Sequence, residues 1–128
     1  MWSQPEYVIT SVHAVSLTVT TLGEAPTPDE LQTVQSQLDS WADLISAAAP
    51  LILENYDYAH FKALGVDESL LVAETPEAIA AAARLESVWF NDASGESFEL
   101  SFTVPWDDHH SFDVEFAGGV PICCSVNG

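Results

Sequence analysis

Five consecutive residues, Trp106-Asp107-Asp108-His109-His110, hold the densest polar chemistry in the chain. Two carboxylates beside two imidazoles are ordinary ligands for zinc and its neighbours, and His13 and His60 could join them as an acid–base pair. Adjacent residues seldom converge on one ion, however, and no second cluster with ligand spacing occurs in the sequence. The segment therefore reads as a solvated loop from Asp107 to Ser111, in which Asp107 hydrogen-bonds its own backbone. His13 falls in the apolar phase of a strand, and His60 lies beside Tyr58 and Phe61. Both positions suit partly buried structural histidines. No Ser-His-Asp order, nucleophile motif or glycine-rich phosphate loop is present. Cys123 and Cys124 have no neighbouring base to lower a thiol pKa. Lys62 and Arg84 are the only Lys and Arg in the chain, too few to clamp a phosphate or an oxyanion. The expectation is a protein with no catalytic residue, no metal and no cofactor.

Against those two cations stand twenty Asp and Glu, for a formal charge of -18 over 128 residues. The acids are scattered rather than gathered into a tail. Such a surface repels nucleic acid and anionic membranes and attracts basic proteins and cations. Disordered acidic chains are poor in apolar residues, whereas 48% of this chain is hydrophobic, with four Trp, six Phe and three Tyr. That composition predicts one globular domain spanning 1–128, long enough to bury roughly two-thirds of its unfolded surface. No apolar run approaches the roughly 20 residues needed to span a bilayer. The segment Met1-Trp2-Ser3-Gln4-Pro5-Glu6 lacks the charge and apolar core of a signal peptide. Adjacent cysteines in a strand point to opposite faces, so Cys123 and Cys124 read as free thiols of a reducing cytoplasm, with pairing between two chains as the alternative.

The elements that position these groups follow from periodicity. Residues 8–22 alternate as one strand, with Val15, Leu17 and Val19 on the face that also takes His13. Gly23 to Pro26 breaks it. Thr27, Pro28 and Glu30 form a helix start with a capping box, and Leu31, Val34, Leu38, Trp41, Ile45, Ala48 and Ile52 keep one helical stripe. Pro50 predicts a kink, and the helix should continue from Leu51 to a glycine cap at Gly65. Thr75-Pro76-Glu77 opens a second, alanine-rich helix to about Leu85. Three strands complete the chain after a short one at Ser87–Asn91. In the first, Phe98, Leu100, Phe102, Val104 and Trp106 alternate with Glu99, Ser101 and Thr103. In the second, Phe112, Val114 and Phe116 alternate with Asp113 and Glu115. Gly118-Gly119 marks a hairpin into a final strand at Val120–Val126. The fold class is α+β: an N-terminal strand, a long kinked helix and a short helix packed on a C-terminal antiparallel sheet.

This pattern places Glu99, Asp113 and Glu115 on the wet side of two pairing strands, where like charges repel. A partner or a cation would relieve that repulsion. Asp39 and Asp43 add charge along the helix, and Asp107 and Asp108 in the loop before the second of those strands. These seven residues are the candidate protein-binding set of a non-enzymatic acidic protein that engages a basic partner, an immunity or inhibitor protein being the concrete version. Two alternatives share the charge. One is a DNA mimic that blocks a nucleic-acid-binding enzyme, and the other is a salt-adapted domain whose acidity serves solubility alone.

The run from Trp106 to Val114, set between an aromatic strand and a glycine hairpin, resembles an uncharacterised bacterial family of small domains. In that family the same place reads Trp-Asp, a variable residue, Glu-His-Gly, then a second glycine and an apolar residue. Trp106, Asp107 and His110 match it, while His109 stands for the glutamate and Ser111 and Asp113 for the glycines. The resemblance spans most of the chain and implies an α+β fold with a C-terminal sheet. It implies no activity. Some members of the family look like immunity proteins of bacterial toxin systems, which implies toxin neutralisation as a role.

Overall fold

The computed structural model describes residues 2–10, 13–21 and 24–128, by their backbone alone for most of residues 2–14. Its sheet has six strands in the order of the sequence. Strands β1 (Trp2–Thr10) and β2 (His13–Val19) form an antiparallel hairpin. The single strand expected over residues 8–22 is thus the end of one strand and the whole of the next. No Gly, Pro or Asn stands between Thr10 and His13 to mark the reversal, and alternation resumes beyond it, so periodicity alone conceals the turn. Val15, Leu17 and Val19 are buried as their phase predicts. The orientation expected for the His13 side chain lies outside the described residues, as do Leu22 and Gly23.

Helix α1 (Pro28–Leu38) opens on the expected capping box: the Glu30 N–H donates to Thr27 Oγ1, and the Thr27 N–H to Glu30 Oε1. The long helix then breaks at Asp39–Ser40 rather than at Pro50. Asp39 closes the last turn through a bond from its N–H to the Ser36 carbonyl, and Ser40 leaves helical dihedrals. Asp and Ser compete for local backbone bonds and hold helices poorly, whereas Pro50 removes one bond near the end of α2 (Trp41–Leu53), which continues through it. The chain from Leu51 onward is not one continuing helix either. Asp57 caps a separate α3 (Tyr58–Ala63), and Gly65 follows it with φ +91°, the left-handed geometry expected of a glycine cap. A 3-10 turn at Glu68–Leu70 leads to α4 (Pro76–Ala82), capped by Thr75. The residues expected to finish that helix instead begin a strand, because Ala80 to Ala83 carry no period by which to tell helix from strand.

Strand β3 (Arg84–Phe90) lies parallel to β2, with Leu17 opposite Val88 and Val19 opposite Phe90. The four helices form the crossover between them, as a parallel pair requires. The sheet is therefore mixed as a whole and antiparallel from β3 onward, through β4 (Ser97–Val104), β5 (Asp107–Ala117) and β6 (Val120–Asn127). The turn between β5 and β6 is the expected Gly118–Gly119 pair, both at positive φ. Helices cover one face of the sheet, as expected. Against them Phe98 stacks on Phe116 with centroids 5.0 Å apart, and Phe90 lies 5.0 Å from Phe98. Phe102 and Phe112 continue the layer as a cross-strand pair. No charged residue is buried among the described residues, and no described helix is long and apolar enough to cross a membrane.

Tyr56 connects the helical layer to the β4–β5 turn. Its ring packs 4.4 Å from Trp106 and 5.8 Å from Phe61. Its hydroxyl donates to the Val72 carbonyl at 2.7 Å and accepts from the Val72 N–H at 2.9 Å. Removing the hydroxyl orphans two backbone groups at once, at a cost of about 1–3 kcal/mol. Tyr56→Phe is expected to lower the unfolding free energy by that amount, seen as a lower urea midpoint at an unchanged m value. A loss below about 0.5 kcal/mol would show that water replaces both bonds.

Candidate functional site

The sheet face turned away from the helices carries the polar half of each alternating strand. The register sets Glu99 directly opposite Glu115, with Trp89 beside Glu99 on β3 and Cys123 beside Glu115 on β6. The next row pairs Ser101 with Asp113 and Asp113 with Ser125. Directly opposed residues have Cβ atoms about 4.5–5.5 Å apart, so three carboxylates share one patch, as the sequence predicts. Asp113 is held by neutral donors alone among its described partners: Ser101 Oγ at 2.6 Å, Ser111 Oγ at 3.3 Å and Asn127 Nδ2. Partial burial, reinforced by the charges of Asp113 and Glu115, raises the Glu99 pKa above the ordinary carboxylate value. Trp89 is 43% exposed, and its Nε1–H donates to Thr20 Oγ1 at 2.8 Å. The bond fixes the ring beside the acids.

The two cysteines point apart, as adjacent strand residues must. Cys123 is exposed on the acidic face, and its thiol donates to Glu115 Oε2 at 3.5 Å. Partial desolvation and the neighbouring carboxylate raise its pKa. Cys124 is half-buried against the core, and burial pushes its thiol up to about 11. Neither thiol has the lowered pKa of a nucleophile.

Both basic side chains are committed elsewhere. Lys62 pairs with Glu68 at 2.7 Å in the helical layer. Arg84 pairs with Glu86 at 3.1 Å, and Glu86 also accepts from Thr103 Oγ1 at 3.0 Å. Among the described residues no cation reaches Glu99, Asp113 or Glu115.

The remaining candidates do not join this patch. Asp107 to Ser111 is not a loop; it is the first half of β5. The ladder explains why it looks like one. Between the paired positions Val104–Asp107 and Phe102–Phe112, the four residues Asp108 to Ser111 stand opposite Thr103 alone. This break in the ladder leaves them without an apolar period. Asp107 does organise the segment, accepting from the His109 N–H at 3.1 Å and contacting His110 Nδ1 with both carboxylate oxygens at 2.8 and 2.9 Å. Asp108 lies 3.4 Å from His109, both largely in solvent. No group of three His, Cys, Asp or Glu is arranged to hold a metal among the described residues. Asp39 and Asp43 sit on the helical layer, on the opposite side of the sheet. Asp39 caps the end of α1, and Asp43 occupies the first turn of α2, where a carboxylate suits the helix dipole.

Ser101, Ser111, Asn127, Trp89 and Cys123 complete the patch, to which the sequence reading does not assign them. The sequence puts Glu99 and Glu115 on the wet sides of pairing strands, but the irregular β4–β5 ladder hides their direct opposition. Nor does alternation give the side-chain bonds to Asp113. A scan against protein-family models finds no match, and searches of curated proteins and of solved structures find none either.

The raised pKa of Glu99 fixes the sign of a pH effect. The folded chain binds this proton more readily than the unfolded chain, so ionising Glu99 destabilises the fold at neutral pH. That destabilisation disappears as pH falls through the raised pKa. Glu99→Gln is expected to raise stability at pH 7 by about 0.2–1 kcal/mol, the size of one cross-strand pair. The gain should vanish below the ordinary pKa of 4.5. Chemical denaturation at both pH values checks this; equal gains at the two would assign the effect to packing instead.

Proposed function

We propose that the protein is a non-enzymatic binding protein whose uncovered sheet face engages a basic protein. An inhibitor of the immunity type, neutralising a cationic toxin within the bacterial cytoplasm, is the concrete form, in keeping with the family that the Trp106–Val114 run resembles. The observation that carries the reading is Glu99 set opposite Glu115 beside Asp113, with no cation of the described chain among them. Like charges in direct opposition weaken a sheet, and a docking Lys or Arg would turn that repulsion into attraction. Trp89 offers an aromatic face next to the acids, suited to cation–π contact with the same side chains. Opposite fields also speed encounter, most strongly at low salt.

The test compares two triple variants of equal charge. Glu99→Gln, Asp113→Asn, Glu115→Gln removes the three unpaired acids of the sheet face, and Asp29→Asn, Asp39→Asn, Asp43→Asn removes three acids of the helical layer. With a decalysine peptide as probe and Trp fluorescence as readout, the first is expected to weaken binding about tenfold, from three exposed pairs. The second should change it less than about threefold, since it removes only distant, screened charge. Binding by the parent protein should also fall steeply with salt. Equal losses in the two variants would reduce the acidity to net charge, as in the salt-adapted reading, and salt-independent binding would overturn the proposal.

A further inference from the structure

Strand β6 is the last of the sheet, and among the described residues its outer side pairs with no other strand. Such an edge presents free N–H and C=O groups, and natural proteins guard it with charges, proline or bulges. Here the guards stand at one end only. Pro121 and the register shift beside it disturb the start of the strand, whereas Cys123 to Asn127 pair without interruption with Glu115 to Ser111. No residue of β6 is charged in a chain of net charge -18. Its apolar side chains remain open, with Val120 59%, Ile122 58% and Val126 41% exposed.

The two sides of this edge differ in chemistry. Cys123, Ser125 and Asn127 lie on the acidic face, next to Glu115, Asp113 and Ser111. Val126 and Cys124 lie on the face towards the helices, opposite Phe112 and Val114. A further strand would sit about 4.8 Å beyond β6. Its side chains on the acidic face would meet small Cys123 and Ser125, over which a Lys or Arg stem can lie to reach Glu115 and Asp113. Its side chains on the other face would meet Val126. We infer that β6 receives an extended segment of the partner as a seventh strand, its side chains alternately basic and apolar. Main-chain bonds supply affinity in this mode, and the alternation supplies specificity. The inference rests on the basic-partner reading above and adds where and in what conformation that partner binds.

The experiment uses the full chain labelled with nitrogen-15 and two capped eight-residue peptides of identical composition. One alternates lysine and valine; the other carries four lysines followed by four valines. Amide exchange at low salt is expected to slow at least tenfold at every second residue of Cys123 to Asn127 with the alternating peptide and not with the block peptide. Val126→Asp should weaken the alternating peptide several-fold while leaving decalysine binding unchanged or tighter, because it adds an acid but removes the apolar contact. Binding of both peptides without new protection in β6 would overturn edge docking and leave the acidic face as the site. Binding of neither would overturn the basic-partner reading as well. Protection of β6 in the free protein, with a doubled mass in solution, would assign the edge to a second copy of the chain and overturn the inference.

Discussion

Alternation along β4 and β5 couples the two faces of the sheet: Phe98 can face the helices opposite Phe116 only if Glu99 faces away from them opposite Glu115. A slip of one residue would send every phenylalanine into water and every carboxylate into the core. The energies are unequal. Burying a Phe contributes about 1.5–3 kcal/mol, and this face buries Phe98, Phe102, Phe112 and Phe116 together with Leu100 and Val114. The opposed carboxylates repel by a fraction of that, about 0.2–1 kcal/mol. Core packing therefore sets the register, and the acidic patch is tolerated as its consequence. The same arithmetic shows that folding alone does not account for the choice of glutamate at both positions. Serine or threonine would alternate as well without the repulsion.

What periodicity can reveal differs along the chain. Where one face is dry and the other wet, as over Phe98–Val104 and Phe112–Phe116, the pattern is strong enough to yield strand and facing. The caps at Thr27, Thr75 and Gly65 are equally legible, since each satisfies backbone groups with the side chain or conformation nearest to hand. Legibility fails where no side-chain period exists or where a period runs across a break. The reversal after Thr10 lacks Gly, Pro and Asn, and the Asp39–Ser40 break leaves buried residues on both sides of it. Conversely, Pro50 signals a break that does not occur, because one lost hydrogen bond in the last turns of α2 is outweighed by buried Ala48, Ala49 and Ile52. Asp108 to Ser111 are extended without being laddered to β4, so their composition resembles a loop and their backbone resembles a strand.

The seven acids singled out by sequence separate in three dimensions into groups with different physical duties. Asp43 lies in the first turn of α2, where the helix dipole suits an acid, whereas Asp39 closes α1 through its backbone N–H alone. Asp107 holds the irregular start of β5 through His110 and the His109 backbone, so its charge is engaged locally, and Asp108 stands beside it in solvent. Only Glu99, Asp113 and Glu115 bear charge on the uncovered face without a local cation among the described residues. Charge alone, the first property visible in the sequence, does not make this distinction; hydrogen-bond partners and register do.

Asp113 shows why this patch differs from an ordinary solvated surface. A carboxylate that serves only solubility is free to move, and ordering it would gain little. Asp113 is instead fixed by Ser101 and Ser111 hydroxyls and the Asn127 amide. Neutral donors restrict its rotamers without neutralising its charge, in contrast to Glu86, whose charge Arg84 already meets. Trp89 is fixed likewise by Thr20. Side chains ordered in advance lose less entropy when a partner arrives, and an uncompensated negative charge gives a cationic partner the most to gain. Rigid placement with unmet charge is the combination that recognition of a basic side chain requires. At Asp113 it occurs beside β6, an edge strand of the sheet, where the extended partner proposed above would meet the main chain and the acids in one approach.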